Sequence, residues 1–196
     1  MEEWEQFYQE GVPPWDHREA SPPLRQVLEE WPREWWGEGA VLVPGCGRGH
    51  DVALLAEHGI KAVGLDLSPT ALGQARGLYG EGEDRVWVEG DLFDSELAER
   101  VQVGAVWEHT CFCAIDPAQR SDYVAAMASL LSPGSRLIGV FYLTPDAETG
   151  PPHAATREEI EEVFGPFFER GREEVPHRSY PTRVGAEWLV EFLRNS

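Results

Sequence analysis

At 196 residues and 22.0 kDa the chain falls within the size that one hydrophobic core serves, up to roughly 250 residues. Hydrophobic residues make up 42% and aromatics 11%, with eight tryptophans, which excludes a disordered chain. Sixteen Lys and Arg against 35 Asp and Glu give a net charge of −19. That field repels phosphate backbones, so a nucleic-acid partner is not expected. No apolar run approaches the ~18 residues of a membrane span, and the N-terminus MEEWEQFYQE is acidic. The expectation is therefore one cytoplasmic domain, away from membranes, acting as a monomer or weak homodimer. Cys46, Cys111 and Cys113 have neither a disulfide-framework pattern nor zinc-ligand spacing, and read as reduced, buried thiols.

In chain order, short β-branched runs alternate with helical segments, the pattern of a parallel sheet covered on both faces. Ala40 to Val43 reads as a buried strand, His50 to His58 as a helix stopped by Gly59, and Lys61 to Asp66 as a second strand. Ser68 followed by Pro69 marks a helix start running to about Gly77. Arg85 to Glu89 and Val103 to Glu108 are further strands, and Pro117 to Leu131 is a helix ended by Ser-Pro-Gly. Ser135 to Leu143 is the longest strand. Thr156, with Glu159 three residues later, predicts a capping box opening a helix to Phe164. Phe167 to Val175 and Glu187 to Leu193 close the chain as strands joined by a short link, which permits antiparallel pairing.

The strongest local signal is a strand, the turn Pro44-Gly45-Cys46-Gly47-Arg48-Gly49, a helix, and a second strand ending in Asp66. Glycines there allow positive φ and let a ligand lie against the backbone, while the helix start presents free N–H groups. Asp66 stands where an acid can accept hydrogen bonds from a ribose diol. The third glycine of a dinucleotide G-x-G-x-x-G is replaced by His50, which weakens a nicotinamide-dinucleotide reading. Gly90-Asp91-Leu92-Phe93, after the third strand, offers a carboxylate and apolar faces that can grip an adenine. His109 is the plausible proton acceptor beside this crevice, with Glu108 able to orient it or to meet an ammonium group. His50, Asp51, Arg178 and Arg183 are possible pocket contacts that read more simply as solvated. His17, His58, His153 and His177 are scattered and suggest no metal site.

Taken together, V-P-G-C-G-R-G-H-D, G-L-D-L-S, G-D-L-F, W-E-H-T-C-F-C-A-I-D-P (107 to 117), G-P-P-H (150 to 153) and the N-terminal E-W with P-P-W-D resemble class I S-adenosylmethionine-dependent methyltransferases. More narrowly, the chain resembles the thiopurine S-methyltransferase superfamily, with its halide/thiol methyltransferases. The resemblance implies a Rossmann-like α/β fold with a seven-stranded, mostly parallel sheet whose last strand runs antiparallel. It also implies that residues 1–36 fold over S-adenosyl-L-methionine as a covering segment on a 37–196 core. On that basis Trp4 and Tyr8 cover the sulfonium, and Tyr8 departs from the usual tryptophan. Pro44, Gly45, Cys46 and Gly47 underlie the methionine portion, Asp66 and Leu67 the ribose, and Asp91, Leu92 and Phe93 the adenine. Glu108 ends the fourth strand at the donor, while Trp15, His109 and Phe112 face the methyl acceptor. His109 replaces the Arg of thiopurine enzymes and the Tyr of plant thiol enzymes, which leaves the acceptor open. The expected activity is methylation of a small soft nucleophile, a thiol first. A non-catalytic sensor of the donor or its demethylated product, and an NAD-dependent oxidoreductase, stand as alternatives.

Overall fold

The computed structural model describes residues 2–144 and 150–196. Two short helices, α1 (Glu2–Glu10) and α2 (Pro22–Glu30), precede the first strand. There follow β1 (Ala40–Pro44), α3 (His50–Glu57), β2 (Ala62–Asp66), α4 (Pro69–Tyr79), β3 (Arg85–Glu89), α5 (Leu97–Arg100) and β4 (Val103–His109). The chain closes with α6 (Arg120–Leu130), β5 (Arg136–Tyr142), α7 (Arg157–Phe164), β6 (Phe168–Glu174) and β7 (Glu187–Arg194). The strands form one seven-stranded sheet in the order β3-β2-β1-β4-β5-β7-β6. β7 runs antiparallel to both β5 and β6, and the other six strands are mutually parallel. Among the described residues no helix is long and apolar enough to cross a membrane.

The central strands AVLVP and AVGLD are apolar almost throughout because both faces of the sheet are covered. Period-two alternation divides them between two cores. Leu42, Val106, Leu137, Trp188 and Val190 join Tyr123, Phe141, Phe164 and Phe192 on one face. Val41, Val43, Trp107, Ile138 and Leu189 join Leu24, Val27, Leu55 and Leu72 on the other. β6 (FERGREE) lies at the sheet edge, where its charges face water and discourage pairing with another chain.

The helix starts follow their local chemistry. The Ser68 hydroxyl accepts from the Ala71 N–H at 3.0 Å, and Thr156 and Glu159 form the reciprocal capping box. The helix expected from Pro117 begins instead as a 3-10 turn (Pro117–Gln119), because the Asp116 carboxylate caps Ala118 and winds that turn tightly before α6 starts.

The strand order reverses between β1 and β4, and this places a crevice at their carboxyl ends. The glycine turn leaving β1 and His109 leaving β4 stand on either side of it.

Candidate active site

The turn after β1 is held by Asp66 at the end of β2. Gly45 and Gly47 have φ of 59° and 53°, a region open to glycine at little cost. The Gly47 N–H donates to Asp66 Oδ2 at 2.7 Å, the Ser68 N–H to Oδ1 at 2.9 Å, and the Cys46 N–H to the Leu65 carbonyl at 3.0 Å. Burial pushes the Asp66 carboxyl up from its ordinary value, and these N–H donors oppose the shift. Each carboxylate oxygen has a second acceptor position, so Asp66 can brace the turn and still receive a ribose diol.

A strap made by α1 and the following loop crosses this turn. Tyr8 is buried, and its hydroxyl oxygen lies 2.6 Å from where a Cβ on Gly47 would stand. Trp15 Nε1 donates to the same hydroxyl at 3.3 Å. Trp4 packs edge-on against Trp15, ring centroids 5.4 Å apart, and takes no part in lining the cavity beneath.

Two carboxylates latch the strap. Glu5 accepts from the Ser68 and Thr70 hydroxyls at the start of α4. Asp16 accepts from Arg48 Nη1 at 3.2 Å and is bonded to His50 Nε2 at 3.0 Å, while His50 Nδ1 shares a 2.6 Å hydrogen bond with the Tyr79 hydroxyl. Farther along, Asp51 binds the Ser21 N–H and hydroxyl and Trp107 Nε1, at 2.7, 2.8 and 2.7 Å.

Between strap and turn lies a cavity of about 90 Å³. One side is Gly45, Cys46, Gly47 and Tyr8, and the opposite wall carries Trp15, His17, His109, Thr110, Tyr180 and Arg183. His109 lies parallel to Trp107, ring centroids 6.4 Å apart, and Thr110 after it has φ of 70°, a costly conformation for a β-branched residue. Burial lowers the His109 pKa to about 4; Asp51 pulls it up while Arg183 and His17 push it down, so the imidazole is neutral. His17 stacks on Tyr180 with centroids 3.7 Å apart. The Arg183 guanidinium lies over the Tyr142 and Tyr180 rings, 4.8 and 5.8 Å from their centroids, and 3.5 Å from Glu187 Oε1.

Tyr8, Trp15, Gly45, Cys46, Gly47 and His109 thus meet at one cavity, with Pro44 and Asp66 buried behind the turn and half-buried Leu67 after Asp66. Other expected residues stand elsewhere. The Glu108 carboxylate turns to the opposite face of the sheet, where Oε1 accepts from the Phe112 N–H at 2.8 Å and Oε2 from the Tyr123 hydroxyl. Strand alternation requires this, since residues 107 and 109 share the cavity face. Phe112 lies in the aromatic core against Tyr123 and Phe141 rather than at the cavity. Asp91, Leu92 and Phe93 line a separate groove of about 560 Å³ beside α6, and Asp91 Oδ1 accepts from the Phe93 N–H. Asp51, His50 and Arg183 line the cavity instead of being solvated, whereas Arg178 forms a bidentate surface pair with Glu29. Sequence reasoning did not single out His17 and Tyr180. The local hint is that His17 follows Trp15 by two residues in P-W-D-H.

The residues suit an adenosyl sulfonium donor: the turn backbone is open where a Cβ would close it, Asp66 keeps acceptor capacity, and Tyr8 and Trp15 offer aromatic rings to a cation. A family model described as thiopurine S-methyltransferase matches residues 1–189. Thiocyanate methyltransferase 1 of Arabidopsis thaliana is 35% identical over 196 residues, covering 97% of this chain and 84% of the relative. Thiopurine S-methyltransferase of Nitrosospira multiformis is 30% identical over 164 residues, covering 76% and 73%. Among solved structures, the 1,6-didemethyltoxoflavin N1-methyltransferase of Burkholderia thailandensis superposes with a TM-score of 0.73 at 18% identity, covering 100% of this chain and 87% of that one, a likeness of fold. The chain belongs to the thiopurine S-methyltransferase family and is an enzyme that draws its methyl group from S-adenosyl-L-methionine.

Proposed function

We propose that the protein methylates a small-molecule thiol inside the cavity between its N-terminal strap and glycine turn. The observation that carries this reading is the cavity wall itself: a neutral His109 and a cationic Arg183 facing the turn in a space of about 90 Å³. The relatives' names point to sulfur acceptors, thiocyanate and thiopurine.

When bound, S-adenosyl-L-methionine supplies a sulfonium-borne methyl group. Asp66 would hold the ribose and Gly45 to Gly47 the methionine portion, while the separate groove at Asp91, Leu92 and Phe93 would take the adenine at the far end of the donor. Tyr8 and Trp15 lie against the sulfonium, and Trp4 braces Trp15. Arg183 favours the thiolate over the thiol by its charge, and His109 takes the departing proton. A thiol with a reference pKa near ~8.5 needs only this modest help. The strap excludes water and keeps nucleophile, methyl and leaving sulfur in line, so positioning dominates the rate.

On this reading residues 1–36 are the covering segment and 37–196 the core. The enzyme works in the cytoplasm, whose reducing conditions suit three free cysteines. It acts as a monomer or weak homodimer, since the exposed large apolar residues, such as Val12, Leu78, Phe93 and Val184, are scattered over separate elements.

The test is transfer of isotope-labelled methyl to a panel of thiols, thiocyanate, hydrosulfide and halides. A labelled thioether supports the proposal. Tight donor binding with no transfer to any of them overturns it in favour of a sensor.

A further inference from the structure

His109 lies between two carboxylates at equal distance, with Nδ1 3.9 Å from Asp51 Oδ2 and Nε2 3.9 Å from Glu187 Oε1. The two carboxylates are not equivalent. Asp51 already receives three hydrogen bonds, two from Ser21 and one from Trp107. Glu187, at the start of β7, is buried, and both of its oxygens lack a hydrogen-bond partner; so does His109 Nε2, which is sealed from solvent. Buried polar atoms pair where a partner is in reach, and hydrogen bonds of catalytic groups tighten when ligands bind. Ser179 Oγ and Arg183 Nη1 are also unpaired donors beside Glu187. A carboxylate has about four lone-pair sites, so its two oxygens can take these donors and the Nε2–H of His109 as well.

We propose that Glu187 is a positioning residue for methyl transfer: it accepts the Nε2–H of His109, fixing the tautomer whose Nδ1 lone pair is left for the acceptor. Burial raises the Glu187 carboxyl from its ordinary value, while Ser179 and Arg183, the latter 3.5 Å from Oε1, oppose that shift and favour the ionised form. The charged and titratable groups around the ring are then Asp51 from α3, Glu187 from β7, Arg183 and Tyr180 from the segment before β7, and His17 from the strap.

This assignment rests on the thiol reading above. The thiol proton passes to Nδ1 and its bonding pair stays on sulfur. That sulfur forms the new bond to the methyl carbon as the carbon–sulfonium bond breaks, its pair leaving with the donor sulfur. Glu187 meanwhile stabilises the imidazolium from the far side.

The experiment compares wild type, Glu187→Gln and Glu187→Asp with two acceptors, an alkyl thiol protonated at the assay pH and an aromatic thiol already ionised there. S-adenosyl-L-homocysteine binding serves as the check on folding. The expected result is a kcat loss of ten-fold or more for Glu187→Gln with the alkyl thiol, relieved as pH rises, and about three-fold or less with the ionised thiol. KM should change little, and Glu187→Asp should recover part of the loss. Equal losses on both acceptors, or none on either, overturn the proposal. Imidazole nitrogen NMR of the wild-type complex with S-adenosyl-L-homocysteine gives a readout independent of turnover and of whether the variants fold. An Nε2–H ring supports the proposal and an Nδ1–H ring overturns it. A wild type that methylates neither thiol defeats the acceptor assignment, while the tautomer remains readable.

Discussion

The Tyr8 hydroxyl and Gly47 fit together only because residue 47 has no side chain, the oxygen lying 2.6 Å from the place a Cβ would take. Gly47→Ala is expected to lift the strap and strain the turn, raising KM for S-adenosyl-L-methionine about ten-fold or more. Adding Tyr8→Phe removes the colliding oxygen and should restore part of the affinity. Steady-state kinetics of the single and double variants measure this, and a double variant no better than Gly47→Ala would assign the whole loss to backbone strain.

Asp66 accepts from the Gly47 and Ser68 N–H groups and, on the proposed reading, from the ribose diol. Asp66→Ala leaves both donors without a partner and removes a charge-assisted contact to the diol. S-adenosyl-L-homocysteine affinity should fall by ~1–3 kcal/mol by calorimetry. Unchanged affinity would refute the ribose assignment.

Glu108 makes a prediction about pH. Burial raises its carboxyl to about 7, with the Phe112 N–H and the Tyr123 hydroxyl opposing. A carboxyl held above its ordinary value stabilises the fold fully below that value, 4.5, and this contribution is lost as pH rises to about 7. The loss is at most roughly 3 kcal/mol. Glu108→Gln keeps an acceptor for Phe112 and offers the Tyr123 oxygen a donor. It should flatten the stability profile and exceed wild type by ~1–3 kcal/mol at pH 8. Urea denaturation at pH 5 and pH 8 gives the comparison, and parallel profiles would contradict it.

The strap latches titrate in the opposite sense. Hydrogen bonds from Ser68 and Thr70 hold Glu5 at about 2. Burial would raise Asp16, but His50, the Arg18 N–H and Arg48 together bring it to about 2. Both carboxyls are depressed, so the docking they provide is complete above pH ~4.5 and lost as pH falls toward 2. At neutral pH, Glu5→Gln with Asp16→Asn should speed proteolysis of the loop 11–18 and raise KM for the donor several-fold, with Tm lowered by only a few degrees. A strap as resistant to protease as wild type would remove the latches from the account.

Much of the fold was legible because its punctuation is local. Ser68-Pro69 and the Thr156/Glu159 pair each mark a helix start within four residues, and the apolar strands between them leave few other readings. α2 opens on the same mark, Ser21-Pro22, but is short, and Ser21 gives its hydroxyl to Asp51 instead of capping the helix. The site was legible where one turn makes it, as at Gly45 to Gly47, and less so where distant segments meet. His17 and Tyr180 stack across 163 positions of sequence (180 − 17), and no local pattern brings them together. Glu108 is different: period-two alternation along β4 already sets it on the opposite face from His109, so the expectation that both serve one site conflicts with the strand that carries them.

The antiparallel return of β7 sets Glu187 behind Arg183, which stands on the wall facing the glycine turn. On the proposed reading the methyl source is held mainly by the first half of the polypeptide, whereas Tyr180 and Arg183 on the opposing wall come from its final stretch. Drift in that terminal hairpin can therefore redirect what receives the methyl group while the machinery that delivers it stays intact, a division of labour through which one scaffold can serve different sulfur compounds.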